Sequence, residues 1–271
     1  MKKIVLAFCA FFPGTLLIQA QQKEGKVVYE RTSQMQVRMQ GMNEEMERMI
    51  PRSRTDKFEL IFGNDQSLWK AAEQDNDDQN HMSGGDGGMQ IRMVVQGSDD
   101  VLYSNFSTRK KVEKRELFDK SFIVDDSIRS LKWKMSEETK TILGHLSRKA
   151  TATNITKRMS MTMDDGKMVR KEVDDTANIT AWFTTDFPVS AGPAEYQGQL
   201  PGLILEMDVN NGRQTFLAKE ILPKTDLTLI KEPSGKKRYT PEEFRKERDK
   251  MMEEMQKNMQ GGGGGRRIII N

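Results

Sequence analysis

Apolar and polar residues alternate along most of this chain. From Gly25 to Met39, Val27, Tyr29, Met35, Val37 and Met39 fall on one face, with Glu30, Thr32, Gln34, Gln36 and Arg38 on the other. That is the period-two mark of a half-buried strand. Asn43 to Ile50 turns helical until Pro51 halts it. Lys57 to Lys70 reads as a hairpin: Phe58, Leu60 and Phe62 alternate, Gly63-Asn64-Asp65-Gln66 turns, and Ser67-Leu68-Trp69 returns. Residues 72–88 form a polar loop, acidic at first and glycine-rich at its end. Strand patterns resume at Met89–Gln96, Val101–Thr108, Lys120–Val124, Arg129–Met135, Thr141–Thr153 and Met159–Met163. The turn Asp164-Asp165-Gly166-Lys167 returns the chain through Met168 to Val173. Ala177–Phe183, Leu203–Met207, Gln214–Leu222 and Thr225–Ile230 complete the set.

Short strands with turn signals and no interleaved amphipathic helices predict a mainly β fold. The expected architecture is a curved antiparallel sheet or half-barrel over residues 21–233, with the 72–88 loop as an insertion. Beyond Ser234 the character changes. Thr240-Pro241-Glu242-Glu243 is a helix start: Thr as N-cap, Pro in the first turn, Glu243 as capping-box partner. The helix carries Phe244, Met251, Met252, Met255 and Met259 and stops at the glycine run from Gly261. Residues 234–271 are thus expected to be a helical or disordered tail that ends in the apolar tip Ile268-Ile269-Ile270.

Composition changes the picture in three ways. Lys2 and Lys3, the apolar stretch Ile4–Ile18 and Ala20 match a secretory signal over residues 1–20. The mature chain is then expected to be exported, periplasmic or outer-membrane associated, with no transmembrane segment. Removing two lysines from 43 basic residues leaves 41 against 40 acidic ones, a balance that gives no case for nucleic acid. The single cysteine, Cys9, leaves with the signal, so no disulfide or thiol chemistry is available to the mature chain.

Catalytic signatures are sparse. There is no G-x-S-x-G elbow, P-loop, dinucleotide fingerprint or zinc spacing, and His81 and His145 lie in unrelated contexts. A non-enzymatic protein is expected. Methionine is the oddity, with 19 copies. Met35, Met39, Met42, Met46 and Met49 recur at spacings of four and three, and Met251, Met255 and Met259 repeat the idea near the C-terminus. Thioether sulfur is a soft ligand that suits Cu(I), and His81-Met82 could add to such a copper site; methionine also fills cores and builds adaptable contact surfaces. Ser127 and Thr176, in Asp126-Ser127-Ile128 and Asp175-Thr176-Ala177, sit in the Asp-Ser/Thr-apolar pattern of bacterial O-glycosylation, both in predicted turns.

The most specific stretch runs from Ala181 to Met207, where prolines and glycines alternate with aromatic and aliphatic residues. Pro201-Gly202 suits the middle of a type II turn, which needs positive φ at the glycine and would deliver Leu203–Met207 into a buried strand. Ala181-Trp182-Phe183-Thr184, Pro188 to Pro193 and above all Leu200-Pro201-Gly202-Leu203-Ile204 resemble the GLPGLI family of exported Bacteroidota proteins. Ile142-Leu143-Gly144, Lys149-Ala150-Thr151 and Leu131-Lys132-Trp133 resemble that family's upstream blocks. Two positions depart from it: Gln199 replaces the first glycine of the signature, and Ser147 stands where relatives carry cysteine. The resemblance implies an exported, β-rich protein of uncharacterised activity, serving envelope transport beside a TonB-dependent outer-membrane transporter. It also implies a carrier-like open sheet able to cup an apolar ligand. It supplies no catalytic residues.

Overall fold

The computed structural model describes residues 22–35, 51–72, 100–164 and 167–261, with the backbone alone for 157–172 and 256–261. The signal segment, the Asn43–Ile50 helix, the strand at Met89–Gln96, most of the 72–88 loop and the Ile268–Ile270 tip lie outside them.

The fold is mainly β. Among the described residues, twelve strands form a single sheet: β1 (Gly25–Gln34), β2 (Ser53–Gly63), β3 (Gln66–Ala71), β4 (Val101–Asn105), β5 (Lys110–Leu117), β6 (Lys120–Ser127), β7 (Lys134–Ile142), β8 (His145–Asp164), β9 (Lys167–Thr184), β10 (Leu203–Val209), β11 (Gln214–Leu222) and β12 (Arg238–Tyr239). Their order is β12-β6-β5-β4-β3-β2-β1-β11-β10-β9-β8-β7, so among the described residues β7 and β12 are the edges and the sheet does not close into a barrel. Neighbours are antiparallel except β12, which runs parallel to β6, making the sheet mixed rather than purely antiparallel. Helix α1 (Pro241–Gly261) follows.

Local chemistry fixes the hairpins. Two-residue connections at Asn64-Asp65, Phe118-Asp119 and Leu143-Gly144 have positive φ at both residues, the geometry whose twist matches paired strands. The Leu143-Gly144 turn divides what reads in sequence as one run, Thr141–Thr153, into β7 and β8. Two predicted strands do not form as expected: of Arg129–Met135 only Lys134 and Met135 lie in a strand, the start of β7. Residues 129–133 are irregular, and Thr225–Ile230 instead holds a 3-10 turn at Leu227–Leu229. Asp226 caps that turn, its Oδ1 accepting from the Thr228 N–H at 2.9 Å and the Thr228 hydroxyl at 2.7 Å. Ile230 then packs on Leu68, Tyr103, Val112 and Ile123, covering one face of β3–β6.

The larger core lies on the other face. Val27, Tyr29, Leu60, Phe62, Ala181, Met207 and Phe216 are essentially inaccessible and form one cluster with Trp69, Ile179 and Phe183. Away from this core the β1–β2–β11 surface carries ion pairs, Lys26–Glu59 at 2.5 Å, Arg31–Asp56 at 3.0 Å and Lys219–Glu30 at 2.9 Å.

The tail beyond Ser234 starts as part of the sheet, through β12. The capping box forms as the sequence predicts: Thr240 N donates to Glu243 Oε2 at 2.8 Å, and Glu243 N to Thr240 Oγ1 at 3.2 Å. Phe244 is buried among Leu117, Phe122 and Val124, with Tyr239 and Met251 beside it, so the first turns of α1 are docked on β5–β6.

Candidate functional site

The segment between β9 and β10, residues 185–202, folds back over the core face. It is built from tight turns in which an N–H reaches the carbonyl two residues earlier: Val189 to Phe187 at 2.8 Å, Ala191 to Val189 at 2.7 Å, and Gly202 to Leu200 at 2.9 Å. The fixed φ of Pro188 and Pro201 suits them to the centre of such γ-turns. This corrects the expected type II turn. Gly202 has no positive φ; glycine is needed there because a Cβ would fall 2.9 Å from the Thr184 carbonyl carbon and closer still to its oxygen.

Phe187, Val189, Ala191, Tyr196 and Leu200 are buried in the main cluster, so the loop's own side chains occupy the core face of the sheet. Tyr29 pins the arrangement, its hydroxyl donating to the Ile204 carbonyl at 2.6 Å, and burial pushes its phenol well above the ordinary value. That carbonyl lies at an irregularity in β10 between Ile204 and Glu206, which lets Leu203, Ile204 and Leu205 all be buried in succession. Gln197 is buried, with its amide oxygen accepting from Ser67 and its amide nitrogen donating to the Ala194 carbonyl at 3.0 Å. Gln199 accepts from the Leu131 N–H at 3.1 Å and the Trp133 indole at 3.2 Å. Those bonds hold residues 129–133 against the loop and explain why they form no strand.

Next to this loop lies a row of charge that the sequence does not announce. β5 reads Lys-Lys-Val-Glu-Lys-Arg-Glu-Leu, too charged to be read as a strand, yet it pairs along its whole length with β6. Lys111, Glu113 and Arg115 alternate on it and line a cleft of about 60 Å³ with Val124, Asp126 and the start of α1. Lys111 Nζ is 3.3 Å from Asp126 and 4.0 Å from Glu113, and Arg115 pairs with Glu113 while its guanidinium stands 5.1 Å over the Phe244 ring. Glu195 joins from the loop. The residue is exposed overall, yet the protein packed around its carboxyl raises that carboxyl above the usual range, Glu113 adds to the effect, and Lys111 and Arg115 oppose it. The cluster can offer carboxylates and cations side by side to a polar surface. A second cleft, about 470 Å³, lies among Val28, Glu30, Lys57, Lys219 and Glu220.

His145 opens β8, with Nδ1 2.7 Å from Asp186 Oδ2 and its ring 4.9 Å from that of Phe187. The buried Ser147 hydroxyl is directed to the His145 carbonyl at 3.3 Å rather than to the ring. These contacts fasten the entry to the loop.

Of the methionines singled out by spacing, Met39, Met42, Met46 and Met49 lie outside the described residues, as do His81 and Met82. Met35 follows β1 and is half-buried. Met251 packs against the Phe244 cluster, Met255 is half-buried on α1, and Met259 lies on the same helix. Among the described residues, no group of three or more His, Cys, Asp or Glu could hold a metal. Ser127 is exposed at the end of β6. Thr176 is also exposed, but it sits within β9 opposite Ile155 and not in a turn, because the β8–β9 hairpin is far longer than the alternation suggests.

Residues 133–206, from Trp133 through the loop into β10, match the family described as "Protein of unknown function (Porph_ging)", an uncharacterised family found in Bacteroidota. No curated protein matches the chain. Two solved structures of PNGF-II, in C2 and P21 space groups, align with it at TM-scores of 0.45 and 0.47 and identities of 16% and 15%. The alignments cover 80% and 83% of this chain but 31% and 32% of theirs, so the chain spans about a third of their length.

Proposed function

We propose that this chain is an exported, non-enzymatic accessory protein of the bacterial envelope, a GLPGLI-type protein that holds a macromolecular partner on its surface. The single observation that carries this reading is the filling of the core face by the chain's own loop. Phe187, Tyr196 and Leu200 occupy the side of the sheet on which a carrier would seat an apolar ligand. Binding is then a matter of surfaces, of which the charged cleft along β5 is the best defined. The GLPGLI name rests on Leu200-Pro201-Gly202-Leu203-Ile204, which lies inside the 133–206 match to a Bacteroidota family. The partner class implied by the resemblance is a TonB-dependent outer-membrane transporter.

Affinity capture of the tagged full chain from native envelopes, after mild cross-linking, tests this. An envelope protein recovered in defined proportion, and lost when Glu113→Lys and Arg115→Glu reverse the cleft, supports the reading. Recovery of the chain alone, or with lipid only, refutes it.

A further inference from the structure

We propose that the face of the sheet turned away from the main core binds a neutral oligosaccharide, held beside Trp182 by the lysine–glutamate pairs around it. Residues directly opposite in paired strands share a face. The register sets Lys149, Trp182, Glu206, Leu217, Glu30 and Lys57 in one row across β8, β9, β10, β11, β1 and β2. Their chain neighbours, among them Tyr29, Ala181 and Phe216, are buried on the core face. With strands 4.7–4.9 Å apart, Trp182 and Lys57 stand roughly 19 Å from each other, a span that suits a short oligosaccharide.

Charge along this row cancels. Lys140 is 2.6 Å from Glu206, Lys149 is 2.9 Å from Glu138, and Lys219 is 2.9 Å from Glu30. With Lys57 and Glu220 beside them, four lysines meet four glutamates, a sum of zero. Such a surface has little net attraction for a nucleic acid, a phosphate or a basic peptide. Each pair instead sets an ammonium, which only donates, beside a carboxylate, which only accepts. Neighbouring sugar hydroxyls match that arrangement: one accepts from the lysine while the next donates to the glutamate.

Trp182 supplies the apolar contact. It is half-buried and packed along the core cluster, so the indole is fixed in place with part of it in solvent. Lys140 Nζ lies 4.3 Å and Lys149 Nζ 5.9 Å from the ring centroid, so donors border the ring. The C–H face of a pyranose is its apolar side and packs on aromatic carbon as other apolar groups do.

Farther along, the row opens into a cleft. Val28 is opposite Glu220 and Tyr29 is opposite Ala218, which leaves Lys219 as an extra residue of β11. Such a bulge re-aims a side chain, here toward Glu30, and the cleft of about 470 Å³ lies around the pair. That volume falls in the range of small-ligand sites. A face meant only for water requires neither the tryptophan nor the recess. The β5 cleft is on the other face, because Glu113 is opposite Leu102 and Leu102 opposite the core residue Trp69.

The test is calorimetry of the full-length mature protein with maltohexaose, cellohexaose, mannohexaose and chitohexaose in turn, at about 50 and 500 mM salt. At least one should bind, with an affinity that changes less than about three-fold between the two salt concentrations. Trp182→Leu should weaken that binding by about ten-fold or more, and so should the surface variant K219A/E30Q. If Trp182→Leu does not fold, K219A/E30Q decides alone, its circular dichroism matching wild type. No binding of any of the four up to about 10 mM, an affinity that falls ten-fold with salt, or unchanged affinity in K219A/E30Q each overturns the proposal. Envelope capture reads the β5 face, so the two readings fail separately.

Discussion

Gly202→Ala tests whether the signature is a folding device or a binding site. The added Cβ meets the Thr184 carbonyl carbon at 2.9 Å, its oxygen closer still, and Phe183 Cδ2 at 3.2 Å. Contacts below 3.0 Å with backbone are essentially unknown for real side chains, so β9 and β10 must part where Leu203 pairs with Thr184. Thr184 and Leu203 are fully buried, leaving no flexible side chain to yield. A forced shift in a packed core costs about 1–3 kcal/mol. Straining the Ile204 N–H bond to the Ala191 carbonyl, 3.0 Å long, adds about 1 kcal/mol. The expected loss is about 3 kcal/mol, a large share of the roughly 5–15 kcal/mol that holds a domain together. For a chain of this size that lowers Tm by roughly 6–12 °C. Valine should cost more. Gly144→Ala is the control: its φ is +82° and nothing lies within 4 Å, so only the backbone penalty of about 1 kcal/mol applies. Urea unfolding of the three proteins, followed by tryptophan fluorescence, measures the differences. A Gly202→Ala protein within about 0.5 kcal/mol of wild type would refute the steric account; if it also lost its envelope partner, the motif would be a contact site.

Three further outcomes are expected. Gln199→Ala strands the Leu131 N–H and the Trp133 indole, costing about 1–3 kcal/mol, and the Trp133 indole proton should exchange faster with solvent; unchanged exchange would contradict the Gln199 bridge. Phe244→Ala removes the buried anchor of α1 at a cost of about 3 kcal/mol, releasing the helix to protease before the sheet unfolds, whereas equal protection of helix and sheet would show that the anchor lies elsewhere. Glu195 concerns pH: a carboxyl raised in the folded state binds its proton more tightly there than in the unfolded chain, so its contribution to stability falls as pH rises from the ordinary glutamate value through the raised one. Glu195→Gln should flatten that part of the stability–pH curve, and parallel curves for the two proteins would rule out the crowding assigned to this carboxyl.

The sequence by itself determined those features whose cause is local. Alternation at Val27 and Tyr29 and at Phe58, Leu60 and Phe62 marks strands because the side-chain period is a property of the strand. Asn64-Asp65 marks a turn because those residues tolerate positive φ, and Thr240 with Glu243 marks a helix start because they satisfy each other's backbone groups. Only tertiary structure decided the rest. β5 is a strand because β4 and β6 supply its hydrogen bonds and Asp126 and Glu195 lie near its inward charges, neither of which is near it in sequence. Thr225–Ile230 looks like a strand by composition but turns, and its last residue, Ile230, packs on the Leu68 and Tyr103 cluster. Gly202 reads as a turn glycine, and the proline before it does make a turn, but the reason for glycine is the Thr184 carbonyl 18 residues earlier. The pairing of Met163 with Met168 follows from hairpin spacing, while the reach of the β8–β9 hairpin beyond its neighbours depends on where β7 and β10 stop. Steric and electrostatic demands set by residues distant in the chain leave no periodic mark, so they are legible only once the strands are side by side.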